Sequence, residues 1–402
     1  METTNIDILQ KKSFERVRTV STHFKRYLHK RIDWSDRLII IKGARGVGKT
    51  TLLLQYIKEQ FGLSEEVLYA SLDDLWFTNN RLTELADQFY TLGGKYLFLD
   101  EVHKYANWSQ EVKNIYDNHP GLHIVLTASS ALHIYSGKGD LSRRAVDYEL
   151  HDLSLREYIG LKSDISLPFF SIEDIIENHV ELSADLSQQI KPVKLLKAYY
   201  HTGSYPYFIE NPDNYNQRLM NTVNTIIETD LQAILDINYT SVYKLKKLLY
   251  VLATSSPFKP NISKLSKKVG IARNTLLRYL QHLSEAHLIQ LLHSSKRGMS
   301  YLSKPDKIYL KNTNLGAFLA DGNSNIGTLR ETFFLNQVHN VANVHTHPKT
   351  DFLVDDEFIF EVGGKNKGFK QIKGLSDAFV VSDDIEMGVR NRIPLWLFGF
   401  LY

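Results

Sequence analysis

The chain reads as an α/β protein of several domains, built on a parallel sheet whose first strand feeds a phosphate-binding loop. Three observations predict this. Arg37 to Leu54, RLIIIKGARGVGKTTLLL, sets an apolar strand, a glycine-rich loop and an apolar helix start in unbroken succession. Further apolar strands, each ending in polar residues, alternate with helical segments as far as residue 150, the pattern of a parallel sheet with helices on both faces. The length, 402 residues, is too great for one core and divides into two or three domains.

The loop fits GxxxxGK[ST] from Gly43 to Thr50, and strand and helix flank it in the order that a P-loop requires. Gly43, Ala44, Arg45, Gly46, Val47 and Gly48 would turn backbone N–H groups toward a phosphate at the start of the helix, with Lys49, Thr50 and Thr51 following. Lys49 would reach the β- and γ-phosphate oxygens of ATP, and the Thr50 hydroxyl would ligate Mg²⁺. Downstream, KYLFLDE ends a strand in Asp100 and Glu101, a Walker B pattern. Asp100 would complete the Mg²⁺ shell, and Glu101 would orient or deprotonate the attacking water. The next strand, HIVLT, runs into Ala128, Ser129 and Ser130; Thr127 or Ser129 is placed to sense the γ-phosphate, or the serines cap a helix beginning near Ala131. Arg143 and Arg144 precede a strand over Ala145 to Leu150, and an arginine there could act as a finger on a γ-phosphate in its own or a neighbouring subunit. Upstream, Phe14, Val17, Val20, Phe24 and Leu28 recur at helical spacing, which predicts an amphipathic helix from about Ser13 to Lys30.

Composition narrows the function classes. Apolar content of 43% and charged content of 23% are those of an ordinary soluble globular chain. The absence of cysteine excludes disulfides and thiolate metal sites. No apolar run approaches a membrane span and METTNIDILQKKSFERV has no apolar signal core, so a cytoplasmic protein is expected. A net charge of +3 is too small to imply a nucleic-acid partner by itself, so that argument rests on local clustering.

Such a cluster exists. Between Ser241 and Leu283 there is no acidic residue, while Lys244, Lys246, Lys247, Lys259, Lys264, Lys267, Lys268, Arg273 and Arg278 all fall there. Ile262, Leu265 and Val269, a turn at Gly270, and Thr275 to Leu283 have the pattern of a helix-turn-helix. Its second helix would present Arg273, Asn274 and Arg278, with Gln281 and His282, toward duplex DNA. Leu288 to Leu310 would form a wing carrying Lys296 and Arg297. A lid or protein-contact role is the competing reading of the same surface.

Near the C-terminus, Glu331 on a helix, Asp351 at a strand start and Glu361 near a strand end resemble the acid order of the restriction-endonuclease-like fold. The lysine that such a site places two residues after its last acid is replaced by Gly363, with Lys365 two residues further on, so a degenerate α+β domain is expected there. His339, His345 and His347 are loop-spaced and are not read as a metal site.

GARGVGKTTLL, YLFLDEVHK, LTASS, RAVDYELHDLSLREY and HTGSYP, then TLRETFFLNQV and FEVGGKNK, together resemble the prokaryotic AAA-type ATPases with a C-terminal domain of unknown function. The resemblance runs over nearly the whole chain and implies ATP binding and hydrolysis. It matches Arg144 to the arginine of the family's Gly-Arg pair, whose glycine is here Arg143, and it favours Ser129 as the strand-end position. The expected organisation is a P-loop ATPase domain over 1–160, a helical lid over 161–240, a winged helix-turn-helix over 241–312 and an α+β domain over 313–402. Together with the basic cluster, the expected function is Mg²⁺-dependent ATP hydrolysis, with release of ADP, driving a conformational switch in a DNA-associated protein. An ATP-switched protein scaffold and an active nuclease are the alternatives, and a homo-oligomer or a protein partner is compatible with each.

Overall fold

The strand–helix alternation of the first 150 residues is realised as a five-stranded sheet with every pairing parallel, in a computed structural model that describes residues 5–128, 141–231, 239–255, 259–295, 304–320 and 324–402. The strands are β1 (Leu38–Lys42), β2 (Val67–Ser71), β3 (Tyr96–Asp100), β4 (His123–Thr127) and β5 (Val146–Glu149), in the order β2-β3-β4-β1-β5. Leu38 to Ile41 are buried without alternation, as in a central strand covered on both faces. Helix α1 is Asn5–Thr19, α2 Lys49–Gln60, α3 Leu82–Thr91 and α4 Trp108–Asn118. Leu38, Ile40, Leu97, Leu99 and Ile124 pack on one face with Leu85 and Phe89 of α3 and Val112 and Ile115 of α4. Phe98 points to the other face and meets Tyr56 of α2, with ring centroids 6.1 Å apart.

The amphipathic helix expected over Ser13 to Lys30 lies instead at Asn5–Thr19, and Tyr27–Lys30 is a separate 3₁₀ turn. Thr19 ends it, its hydroxyl bonding back to the carbonyls of Glu15 and Arg16 in a run rich in β-branched residues. The carbonyls beyond are taken by α2: Lys58 donates to Arg18 and Val20, and Gln55 to Ser21 and Phe24. Helix α1 also covers the outer edge of β2. Gln10 donates to the Val67 carbonyl and Ser13 accepts from the Tyr69 N–H, so an otherwise open strand edge is satisfied.

The chain divides into two compact units, Met1–His151 and Asp152–Tyr402. The second holds α5 (Leu155–Ser163), α6 (Ile172–Gln189), α7 (Pro192–Thr202), α8 (Tyr215–Thr225, running into a π-helical turn at Ile226–Asp230) and α9 (Tyr239–Ala253). Helix α5 falls in this unit, where Ser154 Oγ donates to the Tyr402 carbonyl and Tyr158 packs edge-on to Tyr199. Next come α10 (Ile262–Val269), a left-handed Gly270, α11 (Arg273–Glu285) and an antiparallel pair, β6 (Ile289–Leu292) with β7 (Lys307–Leu310). The chain then forms α12 (Thr313–Leu319) and α13 (Ile326–His339). A second sheet follows, ordered β12-β11-β10-β9-β8, from β8 (Val344–His345), β9 (Phe352–Val354), β10 (Phe358–Gly363), β11 (Ala378–Ser382) and β12 (Arg392–Pro394). It is antiparallel between β8 and β10 and parallel from β10 to β12. Phe334 of α13 sits among Phe352, Phe360 and Phe398 at its core. Among the described residues no helix is long and apolar enough to cross a membrane.

Candidate nucleotide site

Parallel strands bring their carboxyl ends to one edge, and β1, β3 and β4 end together there. The chain leaves β1 at Gly43, where any side chain would overlap the Leu150 carbonyl, and enters α2 through Gly48, whose φ of 99° is left-handed. Lys49 is buried and its ammonium donates to the carbonyls of Gly43 at 2.8 Å and Ala44 at 2.9 Å, so it is curled into the loop it follows. Arg26 braces the loop from outside the motif. Its guanidinium donates to the Val47 carbonyl and, at 2.7 Å, to that of His151. Neither contact is visible in the motif, because Arg26 lies 21 residues before Val47 and 125 before His151.

Asp100 is almost fully buried at the end of β3. Its Oδ2 accepts from Thr50 Oγ1 at 2.6 Å and from the Tyr69 hydroxyl at 2.7 Å, while Oδ1 accepts from Thr127 Oγ1 and the Glu101 N–H. Thr50 and Asp100 thus offer adjoining hard oxygens at the helix start, a donor set that suits Mg²⁺. Among the described residues no group of three or more His, Asp or Glu is arranged to hold a metal, so further ligands there would be water and phosphate oxygens. Glu101 has a positive φ of 53°, uncommon for a residue with a side chain, and its Oε2 is buried with no hydrogen-bond partner among the described residues. Burial pushes its carboxyl above the usual glutamate range, against the pull of the Arg45 guanidinium. An unpaired carboxylate oxygen with raised basicity is what a water-activating group needs.

The other expected residues are distributed differently. Of the two sensor candidates, Thr127 has its hydroxyl committed to Asp100 and the Glu101 N–H; Ser129 lies outside the described residues. Arg144 stands just before β5, at the amino ends of the strands, and pairs in bidentate fashion with Asp117 in the last turn of α4. The phosphate-binding loop is at the opposite edge of the sheet, so Arg144 does not approach the loop of its own chain in this structure.

In the second unit Arg273, Asn274 and Arg278 are exposed on α11, and Lys264, Lys267 and Lys268 on α10. Gln281 and His282 are only partly exposed, and Gln281 donates to Glu285. Lys296 and Arg297 lie outside the described residues. Lys259, Asn261, Arg273 and Lys304 line one groove. The acids Glu331, Asp351 and Glu361 do converge, but on lysines: Lys307 of β7 reaches Asp351 at 3.1 Å and Glu331 at 3.5 Å, and Lys367 pairs with Glu361. The lysine that reaches Glu361 is Lys367 and not Lys365, because the chain after Gly363 turns back through a Lys367 N–H to Gly364 carbonyl bond.

Comparison with known proteins bears on both units. Residues 35–159 match a family model described as an AAA domain, and residues 193–325 match one described as a domain of unknown function, DUF8612. The first match covers the P-loop and all five strands of the first sheet. An uncharacterized protein of Methanocaldococcus jannaschii, MJ1637, is 29% identical over 267 residues, which are 63% of this chain and 56% of that protein. The match thus spans little more than half of the relative's own length. Among solved structures, the Walker-type ATPase PABY2304 of Pyrococcus abyssi is similar at 12% identity, over 79% of this chain and 97% of that one, with a TM-score of 0.39. The Aeropyrum pernix ORC1 protein in complex with DNA is similar at 11% identity, over 78% and 93%, with a TM-score of 0.31.

Proposed function

We propose that this chain is a Mg²⁺-dependent ATPase whose P-loop unit drives a conformational switch in a DNA-associated protein. The observation that carries the reading is the convergence of Lys49, Thr50, Asp100 and the unpaired Glu101 oxygen at one sheet edge. Lys49 leaves the loop carbonyls for the β/γ-phosphate oxygens, and the loop from Gly43 to Thr51 wraps the phosphates. Thr50 and Asp100 hold Mg²⁺, which when bound neutralises charge on the phosphates. Glu101 takes the proton of the attacking water, and Ser129 senses the γ-phosphate. Arg144 serves as a finger only toward a neighbouring subunit.

The DNA half of the reading rests on the sequence of α10, Gly270, α11 and the β6–β7 pair, read as a winged helix over 241–312. The exposed Arg273, Asn274 and Arg278 and the groove with Lys259 and Lys304 support it. Lys296 and Arg297 would add phosphate contacts from the wing. The segment 161–240 acts as a lid. The region 313–402 is a degenerate nuclease-like domain, a reading favoured by lysines that already neutralise its acids. One observation favours a protein partner instead: Tyr239, Tyr243 and Tyr250 are 83%, 62% and 56% exposed along one side of α9.

ATP turnover of the purified chain with Mg²⁺, with and without duplex DNA, tests the reading. Stimulation by DNA that weakens with salt supports the DNA switch. Turnover indifferent to DNA moves the function to a protein-partner ATPase, and no Mg²⁺-dependent turnover overturns the ATPase itself.

A further inference from the structure

Asp100 is held by a residue outside both phosphate-site motifs. Tyr69 stands on β2 on the same face of the sheet as Asp100, 3% exposed, and gives its hydroxyl proton to the Oδ2 atom that also accepts from Thr50. The Tyr69 oxygen accepts from Arg16 Nη1 at 3.3 Å, and the Arg16 guanidinium lies 5.6 Å from the ring centroid. Arg16 is an exposed residue of α1, the helix that Gln10 and Ser13 fasten to the edge of β2. Arg16, Tyr69, Asp100 and Thr50 therefore form one unbroken relay from a surface helix to the cation ligands.

We propose that Tyr69 is a positioning residue for Asp100, and that through Arg16 the N-terminal helix sets how strongly the nucleotide site takes a divalent cation. The inference rests on the P-loop reading above. Its physical basis is orientation. With Tyr69 present, the Oδ2 atom is fixed by a donor that is not itself a cation ligand. Without it, Thr50 and Asp100 would be oriented on that side only by each other, and the carboxylate would have to reorganise on binding.

The test uses the full chain and a fluorescent ATP analogue, with affinity read by anisotropy in EDTA and across a Mg²⁺ titration, for wild type, Tyr69→Phe and Arg16→Met. The expected result is unchanged affinity in EDTA, with the Mg²⁺ midpoint raised about tenfold in Tyr69→Phe and by a smaller factor in Arg16→Met. A midpoint unmoved in Tyr69→Phe overturns the assignment, as does a parallel loss of affinity in EDTA, which would make Tyr69 a packing residue. A shift in Tyr69→Phe with none in Arg16→Met overturns the link to the helix. A wild-type chain that binds no nucleotide in either condition overturns the P-loop reading instead, and is told apart by that result.

Discussion

The two units each bury acids, and they satisfy them in opposite ways. In the first unit the donors on Asp100 among the described residues are all neutral: three hydroxyls, from Thr50, Tyr69 and Thr127, and one backbone N–H. The nearest lysine of the loop, Lys49, is bonded to carbonyls. In the second unit Lys307 and Lys367 bind Glu331, Asp351 and Glu361 directly. Neutral donors orient a carboxylate and leave its charge available to an incoming cation. A buried ammonium cancels that charge and turns the acids into a strut between β7, α13 and the second sheet.

The largest expected effects lie in the first unit. Lys49→Ala should abolish nucleotide binding, measured by anisotropy. Glu101→Gln should keep binding while turnover falls about 10²–10⁴-fold, the usual contribution of a general base. The pH dependence has a definite sign. Because the Glu101 carboxyl is held above the ordinary glutamate range, it protonates at a higher pH than a free glutamate, and turnover should fall as pH drops through that raised value. Residual activity of Glu101→Gln should lack this acid limb. Wild-type turnover in Glu101→Gln would remove the residue from the reaction and with it one half of the comparison.

The second unit should respond in stability. Lys307 is about nine-tenths buried between two acids, so Lys307→Met leaves uncompensated buried charge and should cost about 3–5 kcal/mol in urea unfolding. Asp100→Asn removes no ion pair but sets an amide NH₂ where a carboxylate oxygen accepts two hydrogen bonds, and should cost about 1–3 kcal/mol, less than the loss of the lysine. Equal losses in the two variants would show that the clusters do not differ in kind.

The sequence made the first cluster legible, and of the second its acids but not the lysines that bind them, for a physical reason. Lys49, Thr50, Asp100 and Glu101 fall inside contiguous patterns in which strand, loop and helix are local, so spacing alone places them. The parallel sheet followed from the same alternation. Arg26, Tyr69 and Lys307 act across 125, 31 and 44 residues respectively and carry no local pattern. Tyr69 looks like any apolar strand residue, and Lys307 like a surface lysine near a hairpin. The first helix was displaced because spacing of apolar residues cannot see an open strand edge that needs covering. Counting along the strand from Glu361 does not reach Lys367, because the count fails once the chain turns.

The smallest expected effect concerns Arg144. Its bidentate pair with Asp117 has both contacts at 3.0 Å, but the side chains are 29% and 43% exposed. An exposed pair of this kind contributes about 0–1 kcal/mol, well below the buried Lys307 cluster, so Arg144→Ala should barely move the urea midpoint. Its position at the amino ends of the strands gives the substitution a second use. Turnover of the variant, measured over a range of protein concentration, should match wild type where the chain is monomeric and fall below it only where subunits associate. A deficit that persists at the lowest concentration would mean that Arg144 reaches the phosphates of its own chain. The strand register, which sets it at the far edge from Lys49, would then have to change during the reaction.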